Sequence, residues 1–426
     1  MTTFEVETHY NEFLPAGAGE LNAIVTVTAS GTGAAQADGT APQAAEIVLL
    51  DVSGSMGGKT GKLREAKKAT IAAIDALRDD VQFAIVAGHS EAVRLYPAYG
   101  GTAPASDTTR AEAKAAVAEV TAGGGTAIGT WLLEAARMFP EDPGMIRHAI
   151  LLTDGQNQDE SAQQLSAALD QCEGRFQCDC RGVGADWEVS ELREIADRLL
   201  GTVRVIAQPQ DMEADFRAMT EESMGKALAE VCVRIWTPTD ATVHFVKEVN
   251  PTINDLTHLR IDVSPQIGDY PTRPWGDESR DYHVQIRFPA RGVDEEMRAA
   301  RVTLLVPPDQ ELGKTAIDVT WTEDAQLSTK QVPRLDSYVE QQESARLADE
   351  GFAALKQGDA DTATAQLAKA QEGYEKAGNL AQAEAIGKLL ETAPDGTVRL
   401  KPDRDPIAEK QAETGTTRTE RLGPDS

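Results

Sequence analysis

Positive charge is in short supply in this chain: 41 Lys and Arg stand against 69 Asp and Glu, for a formal net charge of −28 and a pI near 4.6. That imbalance excludes nonspecific attraction to nucleic acid or anionic membrane surfaces, because both partners would be polyanions. Long apolar runs are also missing, so no segment reads as a bilayer span. Met1 to Glu7 has no basic stretch leading into an apolar core, so it does not read as a secretory signal, and a cytoplasmic protein is expected. Cysteine is scarce, at four residues, and a disulfide framework is not expected in a reducing compartment. Aromatic residues make up only 5%. With abundant Ala and Gly and high charge, that composition suits a salt-tolerant or high-GC bacterial source. At 426 residues the chain exceeds what one core usually supports, so two or three domains are expected.

What is present begins with Ile47-Val48-Leu49-Leu50-Asp51-Val52-Ser53-Gly54-Ser55-Met56. A short buried strand ending in Asp, then a glycine turn and a helix, places polar residues at the carboxyl edge of an open α/β sheet, where ligands bind. Alone, D-x-S-x-S is equally well a serine-capped helix start. Two further segments shift the balance. Gly123-Gly124-Gly125-Thr126-Ala127-Ile128-Gly129 presents the Thr126 hydroxyl just before an apolar helix, and Ala149-Ile150-Leu151-Leu152-Thr153-Asp154-Gly155 is a second buried strand ending in Asp. Hydroxyl and carboxylate oxygens are hard donors, suited to Mg²⁺, or to Mn²⁺ or Ca²⁺ in its place, and not to zinc or copper.

In order and local context, Asp51, Ser53, Ser55, Thr126 and Asp154 resemble the metal-ion-dependent adhesion site of the von Willebrand factor A family, over roughly Ala45 to Gly225. The resemblance implies that Ser53, Ser55 and, in the ligand-competent state, Thr126 bind the ion directly. Asp51 and Asp154 would act through hydrogen bonds or bridging waters. With mostly neutral first ligands the ion keeps much of its charge and takes a carboxylate, Asp or Glu, from a protein partner. No activated nucleophile or general base stands among the five residues, so an enzyme is not expected.

The alternation from Ile47 to Met224 predicts a doubly wound, mostly parallel sheet, with the two metal-bearing strands as neighbours at its switch point. His89 follows the second strand and reads as a solvated loop residue that could visit the site rim. Leu21 to Ala29, with six further strand-like runs between Ala229 and Trp321, predicts a β-sandwich into which the A domain is inserted. The expected boundaries are 1–44 for an amino-terminal sandwich strand and linker, 45–225 for the A domain, 226–335 for the sandwich, 336–393 for a helical segment and 394–426 for a disordered tail. The linker is placed at Gly31 to Ala45. Helices are expected at Ser337 to Gln357, Asp361 to Ala377 and Leu380 to Thr392, resembling a single tetratricopeptide-like hairpin.

Cys172, Cys178 and Cys180 admit two readings, a zinc or redox cluster or small buried hydrophobes. Strand alternation puts Cys178 and Cys180 on one face with no nearby His, which favours the core reading. In the tail, Thr419-Glu420-Arg421-Leu422 resembles the phosphothreonine-x-x-Leu pattern read by some forkhead-associated domains, so Thr419 is a candidate phosphorylation site for a Ser/Thr kinase and its reader. An ordinary solvated terminus is the favoured alternative.

Three functions follow. The favoured one is a signalling scaffold or interaction module gripping an acidic partner residue through the ion. The second, which the resemblance implies because members of that family use the same site to couple such subunits, is an accessory subunit of an AAA-type ATPase or chelatase; the ATPase would be a separate protein, since Gly57-Gly58-Lys59-Thr60 lacks the upstream spacing of a P-loop. The third is a metal-dependent phosphoryl-transfer enzyme using Asp51, which is weak because a haloacid dehalogenase-type loop would present a second Asp where Ser53 stands.

Overall fold

The computed structural model describes residues 2–31, 42–58, 61–142, 144–394 and 396–422. The chain divides into two units: residues 1–34 with 230–426, and residues 35–229. The first is thus interrupted in sequence by the second. It opens with β1 (Thr3–His9), β2 (Phe13–Pro15) and β3 (Glu20–Ser30).

The interrupting unit runs β4 (Ala44–Asp51), α1 (Lys62–Ala76), β5 (Gln82–Gly88), β6 (Ala92–Tyr96), β7 (Ala103–Pro104), α2 (Asp107–Glu119) and α3 (Ile128–Met138). It continues with β8 (Ile146–Thr153), α4 (Ala162–Cys172), β9 (Gln177–Val183), α5 (Val189–Arg198), β10 (Val203–Ile206) and α6 (Met212–Met224). The strands lie in the order β10-β9-β8-β4-β5-β6, with β7 added to β5. From β10 to β5 they are parallel, and β6 and β7 close the edge antiparallel. Strands β4 and β8 pair directly, as expected of a switch point.

Every residue of β4 is buried, and its two faces feed different cores. Val48 and Leu50 pack with Ala66 and Ala69 of α1, Val117 of α2 and Phe216 of α6. Ile47 and Leu49 pack with Trp131 of α3, Leu165 of α4 and Ile195 of α5. That two-sided burial is why the strand reads as a continuous apolar run. Cys172, Cys178 and Cys180 are free thiols buried in this second core, and burial pushes the Cys172 thiol up to about 11. They are packing residues. Among the described residues no group of three or more His, Cys, Asp and Glu side chains is arranged to hold a metal.

The resumed first unit contains β11 (Cys232–Trp236), β12 (Thr242–Asn250), β13 (Asn254–Asp255), β14 (Ile261–Ser264), β15 (Ile267–Pro271), β16 (Glu278–Arg287), β17 (Glu296–Val306) and β18 (Gln310–Thr322). One sheet is ordered β1-β3-β16-β12-β13 and the other β14-β15-β11-β17-β18-β2. Phe288 meets Trp321 edge-to-face at 5.6 Å, a contact between the two sheets. The amino-terminal segment thus supplies strands to both sheets.

Helices follow: α7 (Ala325–Ser328), α8 (Pro333–Lys356), α9 (Ala360–Lys376) and α10 (Leu380–Gly387), then β19 (Leu390–Thr392), β20 (Val398–Leu400) and α11 (Pro406–Gly415).

Three expectations are corrected here. Ala44 and Ala45 are not linker but buried residues of β4, while residues 32–41 of that linker lie outside the described residues. The helix expected over Leu380 to Thr392 stops at Gly387, and its last residues form β19, paired with β20. The tail from 394 is not disordered through residue 422. It carries β20 and α11, with Ala412 in the core shared by Phe352, Leu367 and Ile386. Among the described residues, no helix is long and apolar enough to cross a membrane.

Candidate functional site

The chain leaves β4 at Asp51 and enters a single 3₁₀ turn, Gly54–Met56. Asp51 is fully buried, and its carboxylate is spent on holding the loop. Oδ1 accepts the Ser53 N–H at 2.7 Å, and Oδ2 accepts the Thr153 hydroxyl at 2.6 Å and the Asp154 N–H at 3.4 Å. It therefore ties the ends of β4 and β8 together. Burial pushes its carboxyl above the usual range, a rise to which neighbouring Asp154 adds, while the Ser53 and Thr153 hydrogen bonds oppose it.

Ser53, Ser55 and Asp154 form a chain of oxygens. Ser53 Oγ lies 2.9 Å from Ser55 Oγ, which donates to Asp154 Oδ1 at 2.5 Å. Ser55 is exposed, whereas Ser53 and Asp154 are buried. Gly155 passes so close that a Cβ there would meet Ser55 Oγ at 3.3 Å.

The loop bearing Thr126 is stitched to the same edge. Gly123 N–H donates to Val52 O at 2.8 Å, and Gly54 N–H to Gly124 O at 2.9 Å. Gly124 adopts φ +81°, a left-handed conformation that glycine reaches without strain. Thr126 itself is buried, and its carbonyl accepts the Asp159 N–H at 2.9 Å. All five residues singled out by sequence thus belong to three loops joined by backbone hydrogen bonds at one sheet edge.

Residues that sequence reasoning missed hold these loops in place. Asn157 Oδ1 accepts the Ile128 N–H at 2.9 Å and Glu160 accepts the Gly129 N–H at 2.8 Å, so the acidic loop caps α3 just after Thr126. Ser90 accepts the Gly125 N–H at 2.9 Å and donates to Asp159. His89 contributes its backbone: its carbonyl accepts the Ala127 N–H at 3.1 Å and the Trp131 indole N–H at 2.8 Å. Lys62, the first residue of α1, places Nζ 2.7 Å from Asp154 Oδ2. The run Asn157-Gln158-Asp159-Glu160 was visible as a set of capping-type side chains, whereas nothing in the spacing of Lys62 announced its contact.

The candidate modification site Thr419 is not presented as expected. It is buried, and its hydroxyl donates to Val249 O at 2.5 Å. The backbone on either side is also bonded, through Thr417 O and Glu420 N, so the hydroxyl is not offered to an enzyme in this fold.

The donor set fits a hard divalent cation. Two hydroxyls and one carboxylate oxygen lie in hydrogen-bond succession on a part-buried edge, with no thiolate or imidazole among them.

The family profile for the von Willebrand factor type A domain matches residues 45–205. Among solved structures, the chain is similar to a von Willebrand factor type A protein from Catenulispora acidiphila. The two share 41% identity over 99% of this chain and 97% of that one, with a TM-score of 0.93. It shares its fold with the ArnB paralog VWA2 from Sulfolobus acidocaldarius, at 14% identity over 98% of both chains and a TM-score of 0.63. No curated protein matches. With an A-domain profile over the site-bearing unit and a 41% identical relative along nearly its whole length, the chain belongs to the von Willebrand factor type A family.

Proposed function

We propose that this protein is a metal-dependent interaction module: a divalent cation, Mg²⁺ in the first instance, held at Ser53, Ser55 and Thr126, grips an Asp or Glu side chain of a protein partner. The observation that carries this reading is the Ser53-Ser55-Asp154 oxygen chain at the part-buried edge where β4 and β8 end. Asp154 would act on the ion through its hydrogen bond to Ser55 or a bridging water, and Asp51 would keep the Ser53 backbone in place. The bound ion would supply a positive charge with an open position for an external carboxylate. The reading involves no bond-making step. It is supported over phosphoryl transfer by Asp51, whose two oxygens already accept hydrogen bonds from Ser53, Thr153 and Asp154, leaving it poorly placed to attack.

The test is affinity capture of partners from cytosol in Mg²⁺ or EDTA, with the intact protein and Ser53→Ala side by side. Prey should be retained only with Mg²⁺ and the intact site, and affinity for an isolated partner should fall about 10- to 100-fold in Ser53→Ala. An ATPase among such prey would make the protein its accessory subunit. Equal capture in all lanes would refute the metal mechanism.

A further inference from the structure

Among the described residues at the site, Lys62 is a charged group that the metal reading leaves without a task. Gly61, at φ +73°, turns the chain so that Lys62 becomes the first residue of α1. A helix N-terminus is an unfavourable place for a cation, since the backbone dipole already puts positive charge there. The compensation is Asp154, which is fully buried and 2.7 Å away. Its other oxygen accepts Ser55, so both oxygens of this carboxylate are engaged by donors from the chain. A second carboxylate stands farther out: Asp186 Oδ2 is 3.9 Å from the same ammonium, on a side chain that is 82% exposed. The two acids flank the lysine, one in the site and one outside it.

We propose that Lys62 is a tethered competitor for the divalent cation. The proposal rests on the metal reading above. With no ion bound, the ammonium neutralises Asp154. When a divalent ion enters, like-charge repulsion drives the ammonium outward to Asp186, which is already within reach and solvated. Ion binding is then an exchange of one cation for another on a single carboxylate, and Lys62 sets its affinity. The outward position also keeps a positive charge at the rim beside the place an acidic partner would occupy.

The experiment is Mn²⁺ binding to the full chain, followed by the electron paramagnetic resonance of free Mn²⁺. It uses the intact protein, Lys62→Met, Asp186→Asn, the double variant and Ser53→Ala, with circular dichroism confirming the fold. Lys62→Met should bind Mn²⁺ about tenfold more tightly, the effect of removing one part-buried competing ion pair. Asp186→Asn should bind about threefold more weakly, and that loss should vanish in the double variant, because it acts only through Lys62. Equal or weaker affinity in Lys62→Met, with binding still sensitive to Ser53→Ala, overturns the role of Lys62 alone. Mn²⁺ binding that is absent throughout, or unchanged by Ser53→Ala, overturns the metal reading and this proposal with it. Should Lys62→Met fail to fold, unchanged affinity in Asp186→Asn overturns the exchange.

Discussion

Replacing His148 with alanine should destabilise the A domain by about 3–5 kcal/mol, because it removes the cation hydrogen-bonded between two buried carboxylates. Glu46 Oε1 lies 2.7 Å from His148 Nδ1, and Asp179 Oδ2 lies 2.9 Å from Nε2. Two acceptors facing both ring nitrogens require both to carry protons, so the ring is an imidazolium. Burial opposes that charge, but Glu46 and Asp179 outweigh it and hold the imidazole pKa up at about 10. For Asp179, burial is outweighed by the hydrogen bond and charge of His148, and its carboxyl sits well below the usual range. The remaining oxygens are satisfied by Ser223 on Glu46 and by the Thr202 N–H and hydroxyl on Asp179. Alanine would leave both acids buried without the imidazolium between them, Asp179 keeping only the charge of Arg181 nearby. The readout is hydrogen exchange of peptides covering β8 and β9, which should quicken sharply.

The same contact makes stability depend on pH with a definite sign. The folded pKa of His148 is raised above its ordinary 6.5, so its contribution is complete below about pH 6.5 and is lost as pH rises toward about 10. Asp179 is depressed, so its contribution is present above its ordinary 3.8 and is lost as pH falls through its folded value. Between pH 7 and 9 the intact A domain should lose roughly 1.4 kcal/mol per pH unit from His148 alone. Urea unfolding at pH 6, 7.5 and 9 should show that slope in the intact protein and a flatter one in His148→Ala. Equal slopes would mean that the ring is neutral in the fold.

This triad marks the limit of what could be read from sequence. Asp51, Ser53, Ser55, Thr126 and Asp154 were legible because each follows a glycine-rich or apolar segment whose local pattern announces a loop at a strand end. Glu46, His148 and Asp179 lie in three different strands, and only the parallel pairing of β4, β8 and β9 aligns them. A charged residue inside an apolar run carries no local sign of its partner. The alternation of the A domain was legible for the opposite reason: its central strands β4, β5, β8 and β9 are buried on both faces, and its helices bury one. In the sandwich, β15 (Ile267–Pro271) was missed because Gly268, Asp269 and Pro271 look like turn residues, although Asp269 is engaged there by Arg234 at 2.7 Å. The ordered tail was hidden by composition, since its burial rests on polar groups satisfied by polar partners.

Deleting residues 416–426 should loosen the helical part of the first unit as severely as losing His148 loosens the A domain. The described part of this segment, through residue 422, runs as a strap between the sandwich and the helices. On the sandwich side, Thr417 O accepts the Ile253 N–H at 2.7 Å, Thr419 caps Val249 O, and Arg421 Nε reaches the fully buried Asp281 at 2.8 Å. On the helical side, Gln341 of α8 exchanges two hydrogen bonds with the Glu420 backbone, both at 2.9 Å. Asn379 donates to Arg418 O at 2.9 Å and Tyr374 to Thr416 O at 2.8 Å. Truncation would strand several of these buried groups at about 1–3 kcal/mol each, so a loss of at least 3 kcal/mol is expected. Asp281 would keep Thr26 and Tyr338 as donors but lose its cation. Thr419→Ala should cost about 1 kcal/mol, and Thr419→Glu distinctly more, because it would bury a carboxylate against a carbonyl. Limited proteolysis between α8 and α11, with hydrogen exchange of the α9 peptides, would rank the three variants. Protection unchanged by truncation would show that α8, α9 and α10 hold together without the strap, and the resemblance of Thr419 to a phosphorylation motif would then regain its force.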